Sequence, residues 1–317
     1  MWEIKNKTPF ASNSGFVRNQ NGEEIWIVIV KATYDIAPEG FLTPSEEQPD
    51  VCLLDEFYGD PGISSIKYPG DIVLTKEKTD VILNGHAYSK KSTKKKTVKL
   101  KFGNKINKKL VVRGDSHYFR FLLLYGSPRK KFIKTPIRYE HTYGGQREDF
   151  KKRWKHNSVG AGYIERKGEL TPGINLPFRP GKSTGYGAIA QNWFPRYKYG
   201  GTYNKKWEET QKPFLPLDFN NKFNQVAPPD QQVDVSGNEI VELTNLTPDG
   251  FLKFLLPQDK FTITTFMDGE EYEQEPELHT IIIEPDYPRV TMTWQISFNC
   301  NLKEEQITHA LVKQGNL

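Results

Sequence analysis

Residues 24–36 read EIWIVIVKATYDI, a stretch made almost entirely of β-branched, aromatic and aliphatic side chains. Side chains of these types favour a strand, because they pack well on a pleated surface. The apolar run inside the stretch is much shorter than the roughly 20 residues that a membrane-spanning helix needs. The stretch therefore predicts a long strand near the start of the chain.

Similar runs recur along the sequence at regular intervals, each bounded by Gly, Pro, Asn or Asp. Most of them alternate between apolar and polar residues, which is the pattern of a half-buried strand. Strands at such spacing favour antiparallel sheets in a sandwich- or barrel-like arrangement, so we predict a mainly β protein. The further predicted strands are residues 71–75, 80–89, 97–103, 109–114, 116–126, 238–246, 250–257, 260–269, 278–286 and 289–299.

The C-terminal stretch LKEEQITHALVKQ, residues 302–314, predicts a short helix instead. Asn301 can cap its first turn, because asparagine is a preferred N-cap residue. Ile307, Ala310 and Leu311 then fall on one helical face.

We expect residues 1–317 to form one compact unit with three sub-regions. Residues 1–136 and 234–317 hold the predicted strands, whereas residues 137–233 are crowded with Gly, Pro, Asn and aromatic side chains. The middle segment is too aromatic for a disordered linker. We therefore expect a long, ordered, irregular insert that packs against the sheets, and ordered loops of this kind often carry function.

Charge is distributed unevenly along the chain, although the net charge is only +5. Residues 86–134 hold 16 Lys and Arg against one acid, and residues 268–286 hold eight acids without Lys or Arg. Within the basic stretch, apolar and Lys positions alternate at 97–102, which predicts a strand with Lys on its wet face. No aromatic residues interleave these lysines, so we expect no nucleic-acid partner. Complementary charge on a protein partner, or between the two segments, is favoured, with Lys94, Lys95 and Lys96 as candidate contacts.

The cysteine count and the N-terminal residues bear on the compartment. Cys52 and Cys300 are the two cysteines, and a chain of this length does not need a disulfide. The first residues, MWEIKNKTPF, lack the apolar segment of a signal peptide. We therefore expect free thiols, a cytoplasmic location and no membrane partner.

The octet RYEHTYGG, residues 138–145, concentrates chemically active side chains. In an extended segment Glu140 and His141 point to opposite faces and cannot readily form an acid–base pair. Tyr139, His141 and Tyr143 then share one face, as an aromatic row suited to packing or binding. The double glycine that follows permits positive φ or a close backbone approach.

Recognised catalytic and metal-binding motifs are missing, since no G-x-S-x-G, H-E-x-x-H or C-x-x-C occurs. We therefore predict a binding protein rather than an enzyme, without cofactor or metal. Trp193, Arg196, Tyr203 and Trp207 are of types enriched in protein interfaces, although an aromatic cluster in a loop-rich segment can equally be its own core.

Two alternatives stay open. One is a glycan hydrolase that pairs Glu140 with a distant acid such as Asp218 or Asp230, and carboxyl groups about 5 to 10 Å apart would favour it. The other is a carbohydrate-binding module, which coplanar exposed aromatic rings would favour. Buried aromatic rings and a bare, charged surface would favour a protein-binding role.

A series of motifs in a fixed order resembles a bacterial family called domain of unknown function 2169. The motifs are DVILNGHAYS, KLVVRGD, PIRYEHTYGG, HNSVGAGYIE, STGYGAIAQNWFPRYKYGGTYNKKWEE, PFLPLDFNNKFNQVAPPDQQ and LHTIIIEPDYPRVTMTWQ. This resemblance implies a cytoplasmic adaptor or chaperone that binds a type VI secretion effector, the PAAR-type spike tip, or both, and assists loading. The chain departs from the family pattern at Asn157 and Ser158, where the family more often has Asn-Pro.

Overall fold

The computed structural model describes residues 2–118, 120–121, 124–125, 127–147, 149, 151–164, 167–179, 181–300 and 303–315. Within them the protein is mainly β, with largely antiparallel sheets and one short α-helix, which confirms the predicted fold class. No sheet closes on itself in the described part of the chain. No helix among these residues is long and apolar enough to cross a membrane.

A seven-stranded sheet forms the centre of the molecule, in the order β17-β7-β22-β23-β3-β2, with β4 also paired to β3. All neighbours are antiparallel except β7 and β22, which run parallel. With strands numbered along the chain, its members are β2 (Ala11–Arg18), β3 (Glu24–Ile36), β4 (Leu42–Pro44), β7 (Thr79–Leu83), β17 (Gln232–Val233), β22 (Glu277–Glu284) and β23 (Arg289–Asn299).

Two smaller sheets accompany the central sheet. The five-stranded sheet has the order β16-β10-β9-β18-β19, and the four-stranded sheet has the order β1-β24-β20-β21. The five-stranded sheet consists of β9 (Lys95–Phe102), β10 (Ile106–Arg113), β16 (Ile174–Asn175), β18 (Ile240–Thr244) and β19 (Phe251–Leu255). The four-stranded sheet consists of β1 (Glu3–Asn6), β20 (Phe261–Met267), β21 (Glu270–Gln274) and β24 (Ile307–Gln314).

The remaining elements are short. Strands pair as β5 (Glu56–Phe57) with β6 (Ile66–Tyr68), β8 (His86–Thr93) with β13 (Phe132–Pro136), β11 (Arg120–Phe121) with β12 (Leu124–Tyr125), and β14 (Tyr143–Gly144) with β15 (Ala161–Gly162). The helix α1 spans Lys205–Thr210, and 3₁₀ turns lie at Tyr139–His141, Arg196–Tyr199, Asn221–Asn224, Pro229–Gln231 and Glu304–Gln306.

Strand β3 is buried on both faces, which explains its nearly continuous apolar sequence. Its even-numbered residues, such as Trp26 and Val28, join one cluster with the inner faces of the five- and four-stranded sheets. Its odd-numbered residues, such as Ile27 and Ile29, pack with Val51 on the opposite face. Each such aliphatic side chain contributes about 1.5–3 kcal/mol when fully buried, so the two covered faces make β3 the centre of the fold.

The irregular middle segment covers part of that second face. Trp193, Ala188 and Val226 pack there against Ile82 of β7 and Ile282 of β22. The expectation that the insert packs against the sheets is therefore confirmed.

The predicted C-terminal helix is wrong. Residues 307–314 form strand β24, which pairs in parallel with β1 and antiparallel with β20. Ile307, Ala310 and Val312 are buried, whereas Leu311 is only half-buried on the other face. Two flanking strands satisfy the backbone on both sides, and this outweighs the local helical spacing. Asn301 lies outside the described residues.

Three predicted strands also differ in detail. Residues 71–75 are irregular, although Ile72 and Leu74 still pack against the central sheet. The run at 80–89 breaks at Asn84 and Gly85 into β7 and β8. Of the run at 116–126, only the short pair β11 and β12 is regular, and residues 119, 122, 123 and 126 lie outside the described part. Both cysteines are free and buried, as predicted for their thiols.

Candidate protein-binding surfaces

The octet at 138–145 is mostly a compact turn, so the extended conformation that would give Tyr139, His141 and Tyr143 a common face is not adopted at Tyr139–His141. Residues Tyr139–His141 form a 3₁₀ turn in which Tyr139 is buried, while His141 and Tyr143 are half-buried. Asn157, which is fully buried, donates from Nδ2 to the Tyr139 carbonyl and to Thr142 Oγ1, both at 2.8 Å. Asn157 thus holds the turn in place through these hydrogen bonds. The sequence of the octet alone does not indicate this role.

The two glycines of the octet have the roles that their sequence predicts. Gly145 has φ of +128°. A side chain at Gly144 would place its Cβ 2.2 Å from the Asn157 carbonyl oxygen, so the backbones approach closely there. Outside the octet, Gly201, which follows another glycine, also has a positive φ, of +82°.

Each carboxylate proposed for a hydrolase has its own local partner. Glu140 accepts hydrogen bonds from the Ser65 backbone and hydroxyl, at 2.7 and 2.8 Å. Asp218 accepts from the Thr202 amide and hydroxyl. Asp230 lies in the 3₁₀ turn Pro229–Gln231 and pairs with Lys108 at 2.8 Å.

His141 is mostly enclosed, and burial lowers its pKa although Asp115 lies 3.7 Å from its Nδ1. The groups of the octet thus serve local structure. The hydrolase and the carbohydrate module stay untested predictions. No group of three or more His, Cys, Asp or Glu with metal-binding geometry occurs in the described part of the chain.

The predicted aromatic patch is split between the interior and the surface. Trp193 donates from Nε1 to Ser158 Oγ at 2.9 Å, and Arg196 donates to the carbonyls of Ile189 and Phe223. Trp193, Arg196 and Tyr139 are at most 5% exposed, so these three side chains belong to the interior rather than to an open surface patch. Burial also lowers the pKa of Arg196.

Tyr203 and Trp207 belong to the surface part. Tyr203 is exposed and Trp207 is half-buried, with Trp207 on α1. Their rings meet edge to face, 4.8 Å apart and at 70° to each other. This pair is therefore not a coplanar platform.

The outer surface of the five-stranded sheet is open and strongly basic. Val98, Leu100 and Phe102 of β9 point into the core, as predicted, so the alternate positions of β9 point outward. Residues that pair directly across neighbouring strands lie on the same surface of a sheet, so the cations that pair with these outward positions lie on that surface too. We call this surface the basic face and define it by Lys95, Lys99, Lys101, Lys109, Arg113 and Lys253.

Like charges oppose each other twice on the basic face. Lys99 of β9 pairs across the strands with Lys109 of β10, and Lys95 pairs with Arg113. Like charges in directly opposed positions destabilise a sheet. The single acid in the five strands is Glu242, and it binds Lys101 at 3.1 Å. Within the described residues, Lys95, Lys99 and Lys109 make no ion pair.

Apolar side chains border the cations on the same sheet surface. Ile240 of β18 and Phe251 and Leu255 of β19 alternate outward and are 41–55% exposed. The basic face therefore offers both charge and apolar area.

The three lysines predicted as contacts do not share one surface. Lys94 lies in the bend between β8 and β9, which belong to different sheets, and Lys95 belongs to the basic face. Lys96 points to the opposite side of β9 and is half-buried. The alternation at 97–102 predicts an outward position for Lys99, which the register confirms, but the candidate contacts did not include Lys99, Lys109 or Arg113.

The acidic segment at 268–286 neutralises little of the positive charge of the basic segment at 86–134. In the described part of the chain, ion pairs between the two segments are limited to Asp286, which contacts His86 and Lys134. Most of the other acids of this segment lie on or beside β21, at the edge of the four-stranded sheet, and are exposed. Apart from the Lys101–Glu242 pair, the cations of the basic face thus make no ion pair within the described residues.

One known protein family covers most of the strands described above. The model of a family described as an uncharacterized protein conserved in bacteria, DUF2169, matches residues 21–295. The chain belongs to this family. The match runs from just before β3 into β23 and includes the octet and the basic face. No curated protein matches the chain, and no solved structure matches it either.

Proposed function

We propose that the protein is a non-enzymatic adaptor or chaperone that binds a type VI secretion effector, a PAAR-type spike tip, or both. It assists the loading of the effector in the cytoplasm. The observation that carries a binding role is the basic face, where two cross-strand pairs of like charge, each with one exposed and one half-buried member, make no ion pair within the described residues. The type VI role itself rests on the resemblance of the ordered motifs to the DUF2169 family.

The charge pattern suits a transient partner with an acidic surface. Carboxylates that dock on Lys99 and Lys109 relieve the repulsion between these two ammonium groups. Long-range attraction also speeds association, and it weakens as salt screens the charges. The exposed Phe251 and Leu255 supply apolar contact beside the cations. An adaptor of this kind binds its cargo quickly and still releases it at the secretion apparatus.

Affinity capture from extracts of the native bacterium, followed by mass spectrometry, tests the proposal. The wild-type chain should recover a type VI effector or a spike-tip protein. A triple variant, Lys95→Glu, Lys99→Glu and Lys109→Glu, should lose it. A matched control reverses three exposed lysines that lie elsewhere, Lys7, Lys205 and Lys313, and should retain it.

The adaptor role fails if wild-type bait recovers neither class of protein. It also fails if the control variant loses the partner as completely as the basic-face variant does. Release of sugars from polysaccharides by the wild-type chain, abolished by Glu140→Gln, would instead favour the hydrolase.

A further inference from the structure

A cavity of about 420 Å³ opens beside the ends of β8 and β22, and its lining residues do not include those that define the basic face. Lys67, Lys134 and Arg138 line it together with the carboxylates Glu284 and Asp286. We call it the cationic cavity. The three cations outnumber the two carboxylates, and the place where an anion could bind depends on which cations these carboxylates contact.

Both carboxylates are held by donors of the protein itself. Glu284 accepts from Tyr68 at 2.5 Å and from Arg289 at 2.7 Å. Asp286 is bound by His86 and Tyr88 and lies 3.8 Å from Lys134. Within the described residues, the hydrogen bonds and ion pairs of the two acids thus go to these donors and not to Lys67 or Arg138.

Two of those cations lack an acidic partner. The Arg138 guanidinium stacks on Tyr58, 3.8 Å from the ring centre, and Lys67 Nζ lies 4.7 Å from the ring centre of Tyr68. Neither side chain makes an ion pair within the described residues. Stacking occupies the face of a guanidinium and leaves the N–H donors at its edge for a planar anion. The cavity is thus prepared for a carboxylate.

A second cavity, of about 520 Å³, adjoins the first and has mostly apolar walls. Phe57 lines both cavities, and Leu54, Val159 and Trp193 line the second. Leu54 is 80% exposed at its rim, and Tyr287 is 68% exposed at the rim of the cationic cavity. We call the second one the apolar cavity. A free small acid would fill the first cavity and leave the second unused.

We propose that the two cavities together bind a peptide segment of a partner protein in which an Asp or Glu stands within two residues of a large apolar side chain. The carboxylate sits between Arg138 and Lys67, and the apolar side chain enters the cavity beyond Phe57. This inference rests on the proposed function only in assigning the peptide to a partner protein. Its test requires neither the basic face nor a secretion protein.

Selection from a phage-displayed library of random octapeptides on the immobilised full-length chain tests the pairing of the two chemistries. Enriched peptides should carry Asp or Glu close to Leu, Phe or Trp. Selection on the double variant Lys67→Gln, Arg138→Gln should lose the preference for the acid and keep the preference for the apolar residue. Absence of enriched peptides, or enrichment without acids on the wild-type chain, overturns the proposal.

Fluorescence polarisation with one enriched, labelled peptide measures each contact. Arg138→Gln and Lys67→Gln should each raise Kd about tenfold, because a charge-assisted hydrogen bond is lost. Lys313→Gln, an exposed lysine on β24, should leave Kd unchanged. Leu54→Ser should raise Kd severalfold, whereas Leu217→Ser, a leucine of similar exposure, should not.

Replacing the acid of the peptide by its amide gives a further control. The replacement should weaken binding to the wild-type chain and add little to the loss in Arg138→Gln. Thermal unfolding identifies any variant that is misfolded, and Lys67→Gln then stands in for Arg138→Gln. Unchanged Kd in both folded charge variants overturns the assignment. Binding of free succinate as tight as that of the peptide also overturns it, since the apolar cavity then takes no part.

Discussion

Lysines in two parts of this molecule lie in contrasting environments, since one set is buried in ion pairs and the other set is unpaired on a sheet surface. Lys31 of β3 and Lys76, which precedes β7, are nearly inaccessible, and each binds a buried carboxylate, Asp71 at 2.9 Å and Asp80 at 2.7 Å. Lys99, which is half-buried, and Lys109, which is exposed, oppose each other on the basic face and make no ion pair in the part of the chain that the structure describes. Lys31 and Lys76 neutralise buried carboxylates and so form part of the folded interior. Lys99 and Lys109 instead repel each other, and this repulsion does not stabilise the fold. Stability and binding should therefore respond in opposite ways at the two places.

The largest expected effect lies at Asp80. Its side chain is fully buried and accepts hydrogen bonds from Lys76, from the Gln225 amide and from the backbone of Val226 and Ala227. Asp80→Asn leaves Lys76 charged and unpaired in the interior. Removing one partner of a buried pair costs about 3–5 kcal/mol, so we expect a loss of this size in the free energy of unfolding. Urea unfolding followed by circular dichroism measures it.

Asp234→Asn is the matched control for Asp80. Asp234 is 81% exposed and lies 3.8 Å from Lys78, so solvent screens the pair and its loss should not be measurable. Equal losses in the two variants would erase the distinction between buried and exposed lysines. A loss below about 1 kcal/mol at Asp80 would show that the interior tolerates the unpaired Lys76.

An effect of intermediate size is expected from His279, which lies beside Lys76. Burial, together with the charge of Lys76, lowers the pKa of His279 to about 3. Glu277 is 3.8 Å away, but its carboxylate is largely in solvent and does not offset the burial. The imidazole is therefore neutral in the folded protein, whereas it gains a proton below about pH 6.5 in the unfolded chain.

Because the unfolded state binds the additional proton, this contribution to stability is complete above about pH 6.5 and is lost as the pH falls toward 3. Between pH 7 and pH 5 the loss from His279 should be about 2 kcal/mol, by the rule of 1.36 kcal/mol per pKa unit. Urea unfolding at both pH values should show a smaller decrease for His279→Asn than for the wild-type chain. Equal decreases would mean that the cluster around Lys76 admits water and resembles the basic face.

Much of the sheet framework could be predicted from the sequence. Strands β3, β9 and β23 follow from apolar runs and from period-two alternation, which are local properties of the chain. The inward direction of Val98, Leu100 and Phe102 follows from the same alternation. The glycine turn at Gly144 and Gly145 follows from the conformational freedom of glycine.

Contacts between distant residues were beyond such reasoning. Strand β24 exists because β1 and β20, both remote in sequence, lie on either side of it. The role of Asn157 under the octet depends on a fold that brings two loops together. The opposition of Lys99 and Lys109 is likewise a property of register, since the sequence shows only that both strands are basic. The basic run was visible in the sequence, but not which of its members repel each other.

The smallest expected effect is at Lys99, and it tests the contrast between the buried ion pairs and the basic face most directly. Lys99→Glu turns a cross-strand repulsion with Lys109 into an attraction, so the free energy of unfolding should rise by about 0.2–1 kcal/mol. The gain should shrink in high salt, which screens exposed charges. Lys313→Glu is the control, because Lys313 pairs across the strands with the uncharged Thr262 and should bring no gain.

Stability and partner binding must be measured together on this variant. If Lys99→Glu stabilises the free chain and also abolishes partner capture, the repulsion on the basic face is retained for binding, since stability alone would favour its removal. If the variant is neutral or less stable in low salt, solvent already relaxes the two ammonium groups. The basic face would then be an ordinary solvated surface, and the contrast with the buried pairs at Asp71 and Asp80 would reflect burial alone.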